Sequence, residues 1–358
     1  LFKYAIDNGV EPYVTLHHFD TPYLFNKDGD FSNKEVEDYF VEYAKFCLDE
    51  FTEVKKWATF NEIWPWSVNQ FVTGTFPPGE KYQFNKTVSN IHGMLTAHAR
   101  VLNHFKDSGK EGEMGVIHSL ETYYPIDDNE ENIEAAKRYD AIANGLAIES
   151  TLLGEYTKET LDRVNYILEV NGFDEFKPDE KDLEEMKKAA PKIDFLGINS
   201  YQAHWMKEYK GDNVHHHNGT GDKGTFESRL KGMGEEVKRD DIPKTDWDWS
   251  IYPKGLYDMI MRVSQYENCK KIYITENGIG IKEELNENNT VEDDARIDYV
   301  SKHLEAVLKA NENGANVKGY FLWSLMDMFS WSNGYNKRYG FFFVDFKTQK
   351  RYPKKSAY

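Results

Sequence analysis

The sequence predicts an α/β protein of the (β/α)8 barrel class, with a parallel sheet inside and helices outside. Three observations indicate this class. Short apolar runs alternate with helical patterns, the apolar runs are continuous, and nearly all of them end at polar residues. A continuous apolar run is typical of a strand that helices cover on both faces. Polar residues at the strand ends are expected where the carboxyl ends of the strands form a site.

Six strands can be located, and helical patterns separate them. Strands are expected at 11–18, 56–60, 114–119, 193–199, 271–275 and 317–324, and helices at 32–47, 87–105, 133–153, 255–266 and 295–310. Ser32 with Glu35 three positions later predicts a capping box at the start of the first of these helices. No segment rich in proline, glycine and serine divides the chain, so one domain is expected over residues 1–358.

A complete barrel of this class has eight strand–helix units, and two further units would need about 60 residues. The chain opens at Leu1 with a pattern typical of the middle of an amphipathic helix. The sequence therefore predicts an N-terminally truncated barrel with about six of the eight units. Open sheet edges would expose core surface, so the chain alone is expected to be unstable or inactive.

The composition argues against several classes of function. The net charge is −17, which disfavours nucleic acid as a partner because phosphate backbones require a basic surface. No apolar run approaches the roughly 20 residues of a membrane span, so no membrane partner is expected. Cys47 and Cys269 lack the spacing of a metal site, and we interpret them as reduced thiols of a cytoplasmic protein.

Residues 210–244 are rich in glycine, asparagine, histidine and charge, which predicts a long mobile loop after the fourth strand. Such loops at the carboxyl ends of barrel strands often cover sites. His215, His216 and His217 are consecutive, and three consecutive histidines cannot all face one metal ion from regular structure. A solvated loop is the better interpretation of this segment.

Two glutamates that lie far apart in the sequence follow strand-like runs. Glu62 ends the segment Thr-Phe-Asn-Glu, and Glu276 lies within Ile-Thr-Glu-Asn-Gly. Either glutamate alone would be interpreted as a solvated turn residue. Together, at one end of a barrel, two carboxyl groups are what cleavage of a glycosidic bond requires, one to protonate the leaving oxygen and one to attack or stabilise the sugar carbon.

These two segments resemble the signature segments of glycoside hydrolase family 1, and the resemblance runs along nearly the whole chain. It implies that Glu62 is the general acid/base and Glu276 the nucleophile of a retaining enzyme, with carboxyl groups about 5–5.5 Å apart. Glu62 must then be protonated near neutral pH, through burial and a neighbouring carboxylate, whereas hydrogen bonds must keep Glu276 ionised. The resemblance implies no cofactor and no metal.

Other residues that the resemblance assigns to a sugar site lie at strand ends. His18 would bind a sugar hydroxyl, although a buried structural histidine is the alternative, and Asn61 would bind the sugar 2-hydroxyl. Tyr201, two residues after Asn199 at the end of its strand, would contact the nucleophile. Trp323 would form the aromatic floor under the sugar.

Ser330 stands where family members that act on unphosphorylated sugars usually carry glutamate. A carboxylate would repel a 6-phosphate, whereas the Ser330 hydroxyl can donate to it, Lys337 adds a positive charge and Tyr339 adds another donor. Lys337 beside Arg338 is otherwise a common solvated basic turn, but the serine favours the phosphate interpretation. The segment resembles the phosphate pocket of the family's 6-phospho-glycosidases.

Trp331 favours the branch of the family that hydrolyses 6-phospho-β-galactosides, since the branch that cleaves 6-phospho-β-glucosides tends to carry a small residue there. The expected substrate is a phosphorylated disaccharide such as lactose 6-phosphate, cleaved in the cytoplasm. Two alternatives stay open: a 6-phospho-β-glucosidase of the same family, and a non-catalytic phosphosugar-binding fragment.

Overall fold

The computed structural model describes residues 1–217, 223–225 and 227–358. Its strands, in chain order, are β1 (Tyr13–His17), β2 (Lys56–Asn61), β3 (Glu113–Ser119), β4 (Thr122–Pro125), β5 (Phe195–Asn199), β6 (Ala203–Lys207), β7 (Val214–His216), β8 (Glu227–Leu230), β9 (Gly234–Glu236), β10 (Ile272–Glu276), β11 (Val317–Tyr320), β12 (Phe342–Val344) and β13 (Arg351–Pro353). Its α-helices are α1 (Phe2–Asp7), α2 (Tyr23–Asn26), α3 (Lys34–Glu50), α4 (Ile63–Phe71), α5 (Phe84–Asp107), α6 (Glu130–Asp140), α7 (Leu146–Leu152), α8 (Lys158–Val170), α9 (Glu180–Ala189), α10 (Pro253–Val263) and α11 (Asp294–Glu312).

The central sheet contains the six predicted strands, which are confirmed. Its order is β1-β2-β3-β5-β10-β11, and every neighbouring pair is parallel. Every residue of β5 is buried, as expected for a strand that both faces cover. Because all six strands run in one direction, their carboxyl ends lie along one edge, where Glu276 pairs with Asn199. This edge carries the predicted site residues.

The sheet curls so that its two outer strands approach each other. Tyr13 of β1 lies 5.5 Å from Tyr273 of β10 and 5.1 Å from Phe321, measured between ring centroids, and Phe321 directly follows β11. Since β1 and β11 stand at opposite ends of the strand order among the described residues, these contacts give the sheet the curvature of a barrel wall. The N-terminal truncation of the barrel stays a prediction.

The capping box expected at Ser32 is wrong by one residue. Asn33 is the N-cap of α3, and its side chain accepts a hydrogen bond of 3.0 Å from the backbone N–H of Glu35. Ser32 instead ends a short 3-10 turn over Asp30–Ser32, and its hydroxyl donates to the carbonyl of Gly29 at 2.5 Å. Because the Ser32 hydroxyl is hydrogen-bonded within this turn, it does not cap α3, and the helix begins at Lys34.

The helix expected over 133–153 is interrupted. A π-helical turn over Ala141–Gly145 separates α6 from α7. Within this turn the Asn144 side-chain amide donates to the Glu121 carbonyl at 2.8 Å and to Asp140 at 2.7 Å. π-helical turns often occur near functional sites, and this one connects the helix to the segment that follows β3.

The segment 210–244 forms more regular structure than the expected mobile loop. Strands β7, β8 and β9 pair with one another in antiparallel fashion, and β9 pairs with β6, giving a second sheet of order β4-β6-β9-β8-β7. The loop prediction is therefore wrong for these strands, because backbone pairing with β6 outweighs the polar composition. Residues 218–222 and 226, also within that prediction, lie outside the described residues.

Buried ion pairs attach the C-terminal segment to the rest of the chain. The Lys354 ammonium contacts Glu283 and lies 2.9 Å from Asp327, and all three side chains are almost fully buried. Arg296 pairs with Glu283 at 2.5 Å and donates to the carbonyl of Tyr339 at 3.0 Å. These contacts hold the segment that contains Lys337 and Tyr339 against α11.

None of the helices in the described ranges combines the length and the apolar character that a membrane crossing requires.

Candidate active site

Glu62 lies at the junction between β2 and α4. Its backbone adopts the left-handed conformation, with φ 53° and ψ 64°, which non-glycine residues seldom adopt. Backbone hydrogen bonds hold it there: its N–H donates to Ile117 at 2.9 Å, and its carbonyl accepts from Trp66 at 3.1 Å. Strain of this kind is concentrated at functional sites, and here it occurs at the residue that the sequence assigns as the acid.

The side chain of Asn199 connects three strands of the sheet at their carboxyl ends. Its amide nitrogen donates to the Glu62 carboxyl and to the side-chain oxygen of Asn61, both at 3.0 Å. Its own carbonyl oxygen accepts from the Thr275 hydroxyl at 2.7 Å. Asn199, which is fully buried, therefore fixes the position of Glu62 relative to β10.

His18, Asn61 and Trp323 lie together, as the sequence predicts. The Asn61 amide nitrogen lies 3.1 Å from Nε2 of His18. Because the Asn61 oxygen already accepts from Asn199, its amide donates to His18, so the neutral His18 ring carries its proton on Nδ1. The Trp323 ring centroid is 6.2 Å from that of His18. His18 is exposed, so the alternative of a buried structural histidine is wrong.

Glu276 ends β10 and accepts a 2.5 Å hydrogen bond from the hydroxyl of Tyr201. The next residue, Asn277, is buried and donates to the carbonyl of Ser200 at 2.6 Å, while the Ser200 N–H donates to the Glu276 carbonyl at 3.1 Å. These bonds join the ends of β5 and β10. They place Tyr201 beside Glu276, as the sequence predicts.

The two carboxyl groups influence each other's ionisation. Burial, followed by the negative charge of Glu276, raises the pKa of Glu62, and the hydrogen bond from Asn199 opposes this shift. Burial also raises the pKa of Glu276, but hydrogen bonds from Tyr201 and Asn199 oppose it. Since the charged form of Glu276 receives the Tyr201 hydroxyl, we expect the shared proton to reside on Glu62. The arrangement can supply one acid and one ionised carboxylate.

A cavity of about 320 Å³ opens at this edge of the sheet, and His18, Asn61, Glu276 and Trp323 all contribute to its lining. The size falls at the small end of the range typical of ligand pockets, roughly 300–1,000 Å³. Four of the predicted site residues therefore face one space.

Lys337 is buried inside an aromatic enclosure. Its ammonium lies 3.2 Å from the ring centre of Trp249 and 5.2 Å from those of Trp247 and Tyr339. Burial lowers the pKa of Lys337 well below its usual value, and the negative charge of Glu121 opposes that shift. The rings favour the cation through their π-faces, but no carboxylate pairs with Lys337 among the ion pairs of the described residues. The two tryptophans belong to an Asp-Trp-Asp-Trp segment that sequence reasoning left unassigned.

A second cavity, of about 250 Å³, lies beside Lys337. Its lining combines Lys337 with other polar and charged side chains, both basic ones such as His217 and Lys238 and the acidic Glu236 and Asp248. Ser330 lines neither cavity. Its backbone pairs with Gly334 through two hydrogen bonds of 2.8 Å in a tight hairpin. The structure thus brings Lys337 and Tyr339 together and leaves the predicted contribution of Ser330 as a prediction.

Trp331 lies on the surface. It is 54% exposed, and its ring packs edge-on against Phe76 at 5.1 Å and Trp66 at 6.2 Å. It lines neither cavity. The preference for one sugar epimer that the sequence assigns to Trp331 therefore stays a prediction.

Within residues 1–217, 223–225 and 227–358, no group of three histidine, cysteine or acidic side chains is arranged to hold a metal ion.

A curved parallel sheet with two glutamates at the carboxyl ends of its strands is typical of barrel glycoside hydrolases. The chain belongs to glycosyl hydrolase family 1, whose family model matches residues 1–358. It is 55% identical over 361 residues to a 6-phospho-beta-galactosidase of Staphylococcus haemolyticus, strain JCSC1435, and covers 77% of that protein. It is 54% identical to a 6-phospho-beta-galactosidase of Staphylococcus aureus, strain MRSA252, with the same coverage.

Solved structures of the family share the fold. The family 1 β-glucosidase from Thermotoga maritima matches 99% of this chain with a TM-score of 0.85 and 30% identity, and the match covers 74% of that chain. The psychrophilic β-glucosidase BglU from Micrococcus antarcticus matches 100% of this chain with a TM-score of 0.88 and 31% identity, over 75% of that chain. The fold is that of the family's (β/α)8 barrel, and the chain spans about three-quarters of the length of these relatives.

Proposed function

We propose that this chain hydrolyses 6-phospho-β-galactosides with retention of configuration at the sugar carbon. The observation that carries the proposal is the pair of half-buried glutamates with different donors, Asn199 on Glu62 and Tyr201 on Glu276. The 6-phospho-beta-galactosidases of Staphylococcus to which the chain is similar support the phosphorylated galactoside as substrate. The proposed enzyme acts as one domain over residues 1–358.

In the proposed reaction Glu276 attacks the anomeric carbon, and the bond to the leaving oxygen breaks as Glu62 gives that oxygen its proton. A covalent glycosyl ester on Glu276 results. Glu62, now ionised, removes a proton from water, and the resulting hydroxide displaces Glu276 from the sugar. Two displacements on the same carbon restore the original configuration. Both glutamates return to their starting protonation states.

The second cavity is the proposed phosphate site. Lys337 supplies a cation that faces aromatic rings rather than a carboxylate, so an incoming phosphate would provide its missing counter-ion. Tyr339 adds a hydroxyl, and Ser330 adds another after its hairpin moves towards the ligand. His18, Asn61 and Trp323 surround the sugar in this proposal. The substrate is a phosphorylated disaccharide such as lactose 6-phosphate, and the free thiols Cys47 and Cys269 suit a cytoplasmic location.

The test is release of nitrophenol from four substrates, the β-galactoside and the β-glucoside with and without a 6-phosphate. Fastest cleavage of the 6-phosphogalactoside is expected, and proton NMR should show the β-anomer as the first product. Preference for the 6-phosphoglucoside would support the alternative enzyme of the same family. Preference for an unphosphorylated sugar would contradict the phosphate site.

Absence of turnover on all four substrates would be followed by titration calorimetry with galactose 6-phosphate. Binding without turnover would support a non-catalytic phosphosugar-binding protein. Glu276→Gln serves as the control, because it removes the nucleophile while leaving Lys337 and its enclosure in place.

A further inference from the structure

Behind Tyr201 lies a row of charged side chains, of which His204, Glu236 and Lys238 also line the second cavity. Nε2 of His204 is 2.5 Å from a Glu121 carboxyl oxygen, and Nδ1 is 2.9 Å from a Glu236 oxygen. The Lys238 ammonium lies 2.5 Å from the same Glu236 oxygen. The side chains of His204, Glu121 and Glu236 are only 11–13% exposed, so water screens these contacts weakly.

The geometry defines the charge of His204. A neutral imidazole has one N–H donor, and an ionised carboxylate can only accept. Since both ring nitrogens face carboxyl oxygens, both must donate, and His204 is an imidazolium. Burial works against this charge, but Glu236 and Glu121 overcome it and raise the pKa of His204 to about 9. The ring of Tyr123 stacks on His204 at 4.8 Å and fixes its plane.

Glu121 links this cation to Tyr201. The second Glu121 oxygen accepts a hydrogen bond of 3.3 Å from the Tyr201 backbone N–H. The carbonyl of Tyr201 accepts from the Tyr299 hydroxyl at 2.8 Å. Tyr201 lies between β5 and β6, outside either strand, so these side chains hold its backbone where regular pairing does not. The hydroxyl of the residue held in this way contacts Glu276.

We propose that Glu121, held in place by the His204 cation and by Glu236, is a positioning residue that directs the Tyr201 hydroxyl onto Glu276 and adds negative charge to the surroundings of Glu62. This inference rests on the proposed function for its catalytic meaning. The cationic state of His204 can be tested without it.

The charged and titratable groups around these residues decide how Glu121 acts. The negative charge of Glu276 and, more weakly, that of Glu121 raise the pKa of Glu62. His204 faces the two glutamates, Glu121 and Glu236. The charge of Glu121 also acts to raise the pKa values of Lys337 and of several tyrosines, namely Tyr123, Tyr139, Tyr299 and Tyr339. Glu121 therefore acts electrostatically between the glutamate pair and Lys337.

The experiment compares Glu121→Gln and His204→Gln with the matched control Glu235→Gln, which makes the same change one residue before Glu236. We measure kcat and KM across pH with the nitrophenyl glycoside that the unaltered chain cleaves fastest. Glu121→Gln is expected to lower kcat about tenfold by misplacing Tyr201, with KM changed less than about twofold. Glu235→Gln is expected to match the unaltered chain.

The pH profiles separate positioning and charge from a merely structural role. The alkaline limb of kcat reports the acid in the complex with substrate. Removing the negative charge of Glu121 should lower the pH of this limb, and removing the positive charge of His204 should raise it, each by roughly half a pH unit. Limbs that move in the same direction, or a Glu121→Gln variant that behaves like Glu235→Gln, would overturn the proposal.

A second measurement remains informative if no substrate is cleaved. Hydrogen–deuterium exchange at the imidazole C2 position, followed by mass spectrometry, reports the titration of His204 in the intact chain. A midpoint near 9 is expected, with a lower midpoint in Glu121→Gln and an unchanged one in Glu235→Gln. Failure of the proposed function would appear as absent turnover with this titration intact. A His204 that titrates near its ordinary value would refute the proposed cation.

Discussion

The two glutamates differ in the groups that donate to them. Glu276 receives the short hydrogen bond from Tyr201, whereas Glu62 receives the amide of Asn199. A hydroxyl donor stabilises the ionised form of a buried carboxyl group. We therefore expect Tyr201 to be the residue that gives the two glutamates different protonation states.

Replacing Tyr201 with phenylalanine should lower kcat by about 10²-fold, the size of effect seen when one positioned donor is removed. Loss of the donor raises the pKa of Glu276 further, so the ionised nucleophile exists only at higher pH. The acid limb of kcat/KM should therefore move to higher pH. The measurement is the pH–rate profile, with the exposed Tyr23→Phe as control. An unmoved acid limb would show that Tyr201 does not stabilise the Glu276 carboxylate.

Replacing Lys337 with methionine keeps most of the buried stem and removes the cation. KM for the 6-phosphorylated substrate should rise at least about tenfold, since a charge-assisted contact to phosphate is lost. The slow cleavage of the unphosphorylated sugar should change little. Lys309→Met is the matched control, because Lys309 also lies over an aromatic ring, that of Tyr257 at 5.6 Å, but on the outer helix α11. Equal effects on both substrates would argue against a phosphate contact.

Sequence reasoning found the residues at strand ends and, through the family resemblance, those between 330 and 339, but it missed His204 and Trp249. Glu62, Asn199 and Glu276 come together because parallel strands place their carboxyl ends along one edge, whatever their separation in sequence. His204 lies in β6 of the second sheet, whose pairing the polar composition of the segment 210–244 concealed, and Trp249 lies between β9 and α10. No periodic pattern marks such positions.

At the scale of elements, helix α5 approaches the turn before α3 very closely. A Cβ atom added at Gly93 would lie 1.9 Å from the carbonyl oxygen of Phe31. The helix can lie this close to the Phe31 carbonyl only because residue 93 has no Cβ atom. Gly93 therefore determines how closely α5 packs against the turn that precedes α3.

Replacing Gly93 with alanine should lower the free energy of unfolding by about 1–3 kcal/mol or more, despite alanine's better helix propensity, because backbone atoms must move apart. Urea denaturation of the purified chain would measure the change. Asn85→Ala, on the exposed side of the same helix, should be neutral or slightly stabilising. A stabilised Gly93→Ala variant would contradict the close approach.

The central strands were predictable because each is a short, continuous apolar run. The helix expected over 133–153 shows where such patterns stop being informative. Its apolar spacing continues through Ala141–Gly145, but the hydrogen bonds of Asn144 to Glu121 and Asp140 favour a wider turn. Side-chain bonds to a distant segment are not visible in a local pattern.

At the scale of the whole molecule, buried ions connect segments that lie far apart in sequence. Glu283, Arg296, Asp327 and Lys354 form one set of contacts across the end of the chain. Removing Lys354 takes a cation from between two buried carboxylates, Glu283 and Asp327, which is far more costly than losing a surface pair. The segment that contains Lys337 depends on these contacts for its position.

Replacing Lys354 with methionine should therefore lower the free energy of unfolding by about 3–5 kcal/mol. Lys355→Met is the matched control: this neighbouring lysine pairs on the surface with Asp294 at 2.7 Å, and its loss should cost at most about 1 kcal/mol. Denaturant unfolding of the two variants gives the comparison. Similar losses would show that the buried contacts are not a linked unit.

The sequence predicted least about the outer strands of the sheet. Counting strands predicted open sheet edges, but it did not predict which side chains of the outer strands meet. Six parallel strands and their order followed from apolar runs, but the contacts of Tyr13 with Tyr273 and Phe321 depend on the curvature of the whole sheet. Curvature arises from strand twist summed over all six strands. It has no local sequence pattern.

Because Lys337 lies in an aromatic enclosure, capture of a phosphate is coupled to uptake of a proton and therefore depends on pH. Burial lowers the pKa of Lys337 before a phosphate arrives, and a bound phosphate raises it again. In the pH interval between the two pKa values, capture of the anion therefore draws a proton from the solvent. Affinity then weakens as alkalinity increases, and part of the heat of association belongs to the buffer rather than to the sugar.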